Sequence, residues 1–414
     1  PPARGAWIET METPTLQRPW RIPASTVAHD GPSKTIDFHA PIKARMGGYD
    51  TVVEVEGQAS LRFDACGRWG SLRLGDAFYR RTLDGGAVRV ATRHGPPADL
   101  ADPAPVHEQA RALAASLHDT LAASRAPLQL AGPAKDARQL LERLRAVTPW
   151  TADRFVAERE RFAATYPEPI RILPPDRYRD AVVLGTLGCP WGKCAFCESY
   201  QGQPFRVLDE DEFSRHLDAV LALFGSSAVL RGGVFLGAAN ALALPQKRLL
   251  HSLGQIATHF PLEPRGIAAF WDPDHAPPRT HADWEALHRS GLRRVYVGLE
   301  TGEPRVRAAL GKSPDIGRLV EAVRTLVGNP IGAGLIVLAG AGGEQAAEPH
   351  RTATADVLTA IGLRPADTVF VSPLERSRPP DRLRDETRRL GRLLAARLPC
   401  KIVPYRLDMF RYYA

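Results

Sequence analysis

The chain has 414 residues, enough for two or three domains with their own cores, and its 44% hydrophobic and 24% charged content excludes a largely disordered protein. No apolar run approaches the ~20 residues of a membrane helix; the longest, Ile331–Gly343, is short and Gly-rich and reads as a buried strand with its loop. The net charge is +8, and 47 of the 54 basic residues are Arg, a bias that with abundant Ala, Gly and Pro speaks of a GC-rich genome rather than of a function.

In chain order, the first third carries short β-type runs: Thr51–Val55, Ala59–Phe63 and Trp69–Leu74, with Gly between them. Phe78–Leu83 and Val88–Thr92 flank Asp84-Gly85-Gly86, a hairpin signal. A small antiparallel sheet over residues ~35–93 is predicted. Helical periodicity follows in Val106–Ser124 and again in Ala137–Tyr166. Residues 167–179, with Pro174-Pro175, read as a linker, so 1–166 is taken as an α+β accessory domain that caps a substrate site.

From residue 180 the pattern becomes strand, loop, helix, repeated to the end at 414. Strands are predicted at Ala181–Thr186, Gly233–Leu236, Gly266–Phe270, Arg294–Val297, Gly334–Leu338 and Thr368–Val371. Helices are predicted at Glu210–Phe224, Leu244–His259, His281–Ser290, Ile316–Val327 and Thr352–Ile361, with a last one at Asp381–Arg397 before Lys401–Tyr405. Short apolar strands alternating with helices imply an α/β fold with a parallel sheet. Right-handed crossovers curl six such units into a partial (βα)6 TIM-like barrel, and a flat doubly wound sheet fits the periodicity equally. Either way the chemistry belongs at the C-terminal ends of the strands.

Three of the five cysteines, Cys189, Cys194 and Cys197, lie within nine residues directly after the first of these strands, while Cys66 and Cys400 stand alone. This is no secreted disulfide framework; it is a metal-binding knot expected in a reduced, cytoplasmic protein. Three thiolates on one tight loop suit an Fe–S cluster, and three ligands would leave the fourth iron of a [4Fe–4S] cube open to a small molecule. A structural zinc site needs a fourth ligand; the closest His is His216, on a predicted helix.

At this point the sequence resembles the radical S-adenosylmethionine (SAM) superfamily over residues ~175–414, most of all the branch of oxygen-independent coproporphyrinogen oxidase and the methylthiotransferases. The family loop is C-x3-C-x2-C with an aromatic residue before the last Cys; here Phe196 holds that place and the first gap is four residues. The resemblance implies that Cys189, Cys194 and Cys197 hold a [4Fe–4S] cluster whose open iron takes SAM, and that one electron cleaves SAM to a 5′-deoxyadenosyl radical. It implies further SAM contacts from Gly237, Ala238 and Asn240 at the end of the second strand, in the place of a Gly-Gly-Glu-like motif. Val297-Gly298-Leu299-Glu300-Thr301-Gly302 matches the family's GLE(S/T)G, so Glu300 would bind the ribose hydroxyls or the amino group. Ile336 and Gly340 belong to the apolar strand and Gly-rich turn beside the adenine. Lys312 matches a recurring lysine position without an assigned role, and His350 with Thr354 sits where relatives carry His and Thr at a helix start, a place equally suited to helix capping.

The substrate side is thinner. Strand-end candidates are Glu198, Tyr200, Trp271, Asp272, Ser372 and Glu375. A small, polar metabolite is the expected substrate, in natural-product tailoring by rearrangement, epimerisation, oxidation or carbon–sulfur bond formation, with an electron donor such as flavodoxin or ferredoxin. No second cysteine cluster or cobalamin-type Asp-x-His-x-x-Gly pattern is present. Residues 375–414 hold 11 basic and 5 acidic residues, which reads as a solvated Arg face; the alternatives are an RNA-modifying radical SAM enzyme and a zinc-stabilised binding protein.

Overall fold

Alternation of apolar and polar residues drives the first β region. In Ile42–Met46 (β1) the buried Ile42, Ala44 and Met46 share one face, opposite Lys43 and Arg45, the period-2 pattern of a strand with one covered side. Asp50–Val55 (β2), Ala59–Asp64 (β3), Trp69–Leu74 (β4), Ala77–Arg81 (β5), Ala87–Arg89 (β6) and Ala98–Asp99 (β7) follow by antiparallel pairing. Helix Ala104–Ala122 (α1) then leads to Leu128–Ala131 (β8), which returns parallel to β1. The sheet has eight strands, three more than the five runs read from the sequence: β1, whose alternating run is not among those five, and β7 and β8, which are too short for a period to show. The computed structural model describes residues 36–91, 96–132, 136–374 and 379–413; the expected strand end at Thr92 and the candidate Glu375 lie outside them.

The predicted helix Ala137–Tyr166 is two helices, Ala137–Val147 (α2) and Ala152–Thr165 (α3). Pro149 lies between them, where its ring and missing N–H end a helix. The chain divides into two compact units between Ala152 and Asp153, so α3 belongs with the second unit, together with the hairpin tip Thr82–Gly86. The expected boundary at residue 166 therefore lies inside that unit. Residues 167–179 are not a free linker either. Leu173 is 1% exposed and its carbonyl accepts a hydrogen bond from Tyr405 Oη at 2.8 Å. Tyr296 Oη donates to Asp176 Oδ2 at 2.7 Å, and Arg177 donates to Tyr296 Oη and Asp180.

The second unit continues as Ala181–Leu184 (β9), Thr186–Leu187 (β10), Arg206–Val207 (β11), Glu210–Phe224 (α4), Val234–Gly237 (β12), Gln246–His259 (α5), Ile267–Trp271 (β13), His281–Arg289 (α6), Leu292–Glu300 (β14), Pro304–Ala309 (α7), Ile316–Val327 (α8), Gly332–Ala339 (β15), Ala347–Ile361 (α9), Thr368–Pro373 (β16), Pro380–Arg397 (α10) and Lys401–Pro404 (β17). β9 and β12 are buried at every position, as strands covered on both faces must be. Helix starts carry their own signals: Asp209 and Glu212 form a capping box on α4, and Thr280 with Asp283 does so on α6.

The sheet order is β9-β12-β13-β14-β15-β16-β17, every pair parallel. Each strand is laid beside its predecessor in one direction with no reversal, which is barrel winding and not the doubly wound order. Seven strands rather than six take part, because Lys401–Pro404 adds to the edge. Curvature shows in the aromatic inner face. Phe235 on β12 and Tyr296 on β14 have ring centroids 6.0 Å apart, whereas two strand spacings on a flat sheet would separate them by about 10 Å. Phe270, Phe370 and Tyr405 extend the same inner layer.

Candidate functional site

The three cysteines lie between β10 and β11, which pair antiparallel and close the base of residues 188–205. The loop starts at Gly188, whose N–H is bound by both Glu168 carboxylate oxygens at 2.8 and 3.0 Å. Four contacts then fasten it to the segment after β14. Trp191 Nε1 donates to Gly311 O at 2.7 Å, and Ala195 N donates to Leu310 O at 3.0 Å. Phe196 packs against Val306, Leu310 and Leu338. Gly311, at φ +77°, comes so close to the loop that a Cβ there would sit 2.5 Å from Lys193 O. Only glycine satisfies both the left-handed backbone and that approach.

All three thiols are free and half-buried. Burial pushes the Cys194 thiol up to about 12; Lys312 opposes this, and Glu300, Asp272 and Cys197 add to it. Among the described residues no three His, Cys, Asp or Glu side chains converge on one metal position, the cysteines included. The donor set nevertheless fits a cluster in kind and spacing: three unoxidised soft sulfurs on one turn. His216, the nearest candidate for a fourth ligand, is used elsewhere. Its Nε2 accepts the Leu184 N–H at 2.8 Å, and burial holds the ring neutral by lowering its pKa to about 4.

At the end of β14 the backbone departs from strand geometry. Glu300 has φ +62°, in the left-handed region, and the pairing with β15 shifts register between Gly298 and Glu300. A non-glycine residue there costs ~1–3 kcal/mol and persists only where its surroundings enforce it. The enforcing contacts are visible. Glu300 Oε1 folds back over Gly298, where a Cβ would sit 2.2 Å away. Lys312 Nζ lies 3.5 Å from Glu300 Oε1 and 3.5 Å from Asp272 Oδ2, and donates to Gly298 O at 3.0 Å. Burial raises the Glu300 carboxyl while Lys312 and Arg307 pull it down; Lys312 itself is held above its usual value by Glu300 and Asp272, against burial. Asp272 is held well below the carboxylate range by Lys312 and His275, in spite of burial.

Two helices fix the turn that follows. His350 Nδ1 is 2.8 Å from Thr301 Oγ1, and Gly302 N donates to Thr354 Oγ1 at 3.0 Å. His350 and Thr354 therefore clamp the Thr301–Gly302 turn rather than cap a helix; α9 has no side-chain cap. From α7, the fully buried Arg307 donates to Leu299 O and Ser313 O at 2.6 Å and pairs with Asp274 at 2.7 Å. Arg307 carries no signal in the sequence, since an arginine on a short helix reads as solvated.

The other candidates separate by which way they face. Asn240 spends its carboxamide on the loop after β13: it donates to Asp272 O and His275 O at 3.2 Å and accepts from Asp272 N at 3.1 Å. Gly237 O accepts from Gly185 N, and Ala238 N donates to Thr186 Oγ1. Gly237 and Ala238 line the inner chamber with Tyr200, Phe235 and Phe270. That chamber holds only about 20 Å3, and Ile170, Ile172 and Leu173 line it as well. Ile336 pairs with Gly298 on the neighbouring strand, and Gly340, at φ +87°, makes the turn after β15. Trp271 points outward onto Trp284 of α6, with ring centroids 4.9 Å apart, so it is packing. Ser372 is buried in β16, two residues along from Phe370 and on its inner face, whereas Glu198 is exposed. Cys400 precedes the first paired residue of β17, at the sheet end opposite the cysteine loop. On α10, Arg382, Arg384, Arg388 and Arg397 are matched by Glu344, Asp381, Asp385 and Asp356, so these four charges are ion-paired. No helix among the described residues is long and apolar enough to cross a membrane.

No known family model matches the chain, and neither does any curated protein. Among solved structures it is similar to the cobalamin-dependent S-adenosylmethionine radical enzyme OxsB with aqua-cobalamin and S-adenosylmethionine bound, at 17% identity and a TM-score of 0.33 over 52% of this chain and 31% of that one. It is also similar to methylornithine synthase (PylB), at 15% identity and TM-score 0.36 over 54% of this chain and 70% of that one. A third is HydG, a maturase of the [FeFe]-hydrogenase, at 13% identity and TM-score 0.36 over 62% of this chain and 57% of that one. The matched part thus spans about a third of OxsB. Likenesses this distant assign no residue a role.

Proposed function

We propose that the chain is a radical SAM enzyme that abstracts hydrogen from a small metabolite. The observation that carries the reading is the three free thiols on one loop after β9, fastened by Trp191, Ala195 and Phe196 to the segment that follows β14. Cys189, Cys194 and Cys197 are the residues to hold a [4Fe–4S] cluster, which supplies, with one electron, reductive cleavage of a SAM sulfonium bond. Thiols ligate only as thiolates, so loading releases protons and draws the sulfurs together. The raised Cys194 thiol is protonated in the metal-free chain at neutral pH, and Lys312 favours its thiolate.

On the SAM side the chain's own groups have distinct tasks. Glu300 is a carboxylate held at a fixed angle, suited to accept from ribose hydroxyls or an amino group, with Lys312 balancing its charge. Asn240 acts as a positioning residue through the Asp272 loop. Gly237 and Ala238 offer backbone at the end of β12, Ile336 and Gly340 an apolar strand and turn for a flat ring, and Phe196 anchors the cluster loop. Hydrogen abstraction from carbon needs water kept out, and the aromatic inner face of Phe235, Phe270, Tyr296 and Phe370 provides that. Tailoring of a natural product remains within this proposal as the expected use.

Anaerobic reconstitution with iron and sulfide is the test. The expected product is a brown protein that dithionite reduces and that then releases 5′-deoxyadenosine from SAM. Stoichiometric zinc with no SAM cleavage refutes the reading, and salt-sensitive retention of tRNA would move it to an RNA-modifying enzyme.

A further inference from the structure

The cysteine loop leaves the β10–β11 ribbon at Gly188, and that departure is tightly set. Gly188 has φ +65°, and a Cβ there would sit 2.5 Å from Pro204 O and 3.1 Å from Gln203 O, on the returning arm of the same loop. Only glycine fits a left-handed backbone with such an approach. The Gly188 N–H, directly before Cys189, donates to both Glu168 carboxylate oxygens, at 2.8 and 3.0 Å. Gly188 is the only hydrogen-bond partner of Glu168 among the described residues, where Glu168 has no ion-pair partner either. Glu168 is half-buried between Pro167 and Pro169. A residue before proline is confined to extended backbone, and proline fixes its own φ, so both neighbours stiffen the segment. The segment is also tied at each end. Before Glu168, Tyr166 Oη donates to Val182 O of β9 at 2.8 Å; after it, Leu173 O accepts from Tyr405 Oη at 2.8 Å. β9 is one edge of the parallel sheet, and Tyr405 directly follows β17, the other edge. Residues 166–173 therefore form a strap fastened to both edges of the partial barrel, with Ile170, Ile172 and Leu173 on the inner chamber. Glu168 is the point at which this strap holds the cysteine loop.

We propose that Glu168 is a positioning residue for the cysteine loop: by holding the Gly188 N–H from a rigid strap, it fixes where Cys189 presents its sulfur to a metal. The inference rests on the radical SAM reading for the identity of the cluster, and on the hydrogen bond alone for the position of the loop. Sulfurs that share a metal must be brought together, and each loop residue ordered beforehand spares the entropy of ordering it on loading. A bond from an N–H to a carboxylate is charge-assisted and stronger than one to a neutral acceptor. Groups that orient ligands without touching the metal are worth roughly 10- to 100-fold in metal affinity. The Tyr200 phenol, raised first by burial and then by Cys197, Glu168 and Cys189, stands within electrostatic reach of the carboxylate and both thiols.

The test compares the wild-type chain with Glu168→Ala, Glu168→Gln and Glu168→Asp. Gln keeps an acceptor oxygen at the same reach without the charge; Asp keeps the charge and shortens the reach by a methylene. Iron loss from the reconstituted chain to bathophenanthroline disulfonate is timed. Alkylation of Cys189 by iodoacetamide in the metal-free chain is located by peptide mass spectrometry, with the exposed Cys66 as reference. Glu168→Ala is expected to lose iron about tenfold faster and to be alkylated faster at Cys189. Glu168→Asp should follow it, and Glu168→Gln should recover most of the wild-type behaviour in both measurements. A lower Tm with both rates unchanged is a merely structural role and overturns the proposal. So does the reverse order, Asp like wild type and Gln like Ala, which would assign the effect to charge. Glu168→Asp keeps the test decisive if Glu168→Ala does not fold. A wild-type chain that takes up no cluster is the failure of the radical SAM reading, and alkylation of Cys189 in the metal-free chain then still decides on Glu168. A cluster that forms and is retained equally in all four chains is the failure of the positioning role alone.

Discussion

Lys312→Met tests the charge cluster at the end of β14. The methionine keeps the length and most of the volume of the lysine stem but removes the cation that lies 3.5 Å from both Glu300 and Asp272. The side chains of Glu300 and Lys312 are 7% and 6% exposed, so water cannot replace the lost partner. Removing one member of a buried pair leaves an uncompensated charge and typically costs 3–5 kcal/mol. For a unit of this size that is a fall in Tm of about 10 °C. The penalty should also depend on pH. The Glu300 carboxyl already lies above its ordinary 4.5 through burial, and without Lys312 it rises further. A carboxyl raised in the fold carries a proton that the unfolded chain lacks. The destabilisation is therefore complete above the folded pKa and disappears below the unfolded one. Thermal and urea unfolding of the metal-free chain at pH 5 and pH 8, wild type against variant, measures the difference. The double variant Lys312→Met/Glu300→Gln should regain the part of the loss that the Glu300 charge causes, while Asp272 keeps, among the described residues, only His275 as its ion-pair partner. A loss below about 1 kcal/mol, or one equal at both pH values, would show that Glu300 and Lys312 do not depend on each other.

Other expectations are shorter. Cys194→Ala should abolish iron retention and 5′-deoxyadenosine release, since two thiolates do not hold a cube; a full complement of iron in that variant, by metal analysis, contradicts the ligand assignment. Glu300→Gln should keep the cluster and weaken SAM binding about tenfold, the worth of one charge-assisted hydrogen bond, and an unchanged SAM dissociation constant removes that role. Gly302→Ala places a Cβ 2.2 Å from the Ala353 carbonyl oxygen; backbone cannot yield cheaply, and a stability loss of about 1–3 kcal/mol is expected in urea unfolding. His350 is buried and neutral, its pKa lowered from 6.5 to about 4. The unfolded state binds the proton first as pH falls, so stability drops by about 1.4 kcal/mol per pH unit below 6.5. His216 adds a like contribution, its pKa lowered to about 4 as well, so His350→Gln should lessen the slope in a pH series by its own share, and an unchanged slope would assign it to other groups.

The parallel strands from Ala181 onward and their helices were legible in the sequence because strands covered on both faces must be apolar throughout, and the helices between them keep a 3.6-residue stripe. The cysteine loop was legible because its three thiols are local, and so was the GLETG segment, a short contiguous string. Sequence periodicity left the winding of the sheet undecided; the observed order, each strand beside its predecessor, settles it, since which strand pairs with which is a long-range matter. The same holds for residues 167–179. Their prolines read as a linker, yet Leu173 and Arg177 make contacts with Tyr405 and Tyr296, more than a hundred residues away. Local composition therefore determined which segments become strand, helix and cysteine loop. The pairing of Lys312 with both Glu300 and Asp272, the burial of Arg307 and the stacking of Trp191 on His275 were decided only by tertiary structure. Burial and charge pairing arise from residues that the chain brings together across distant strands, and no spacing along the sequence records that.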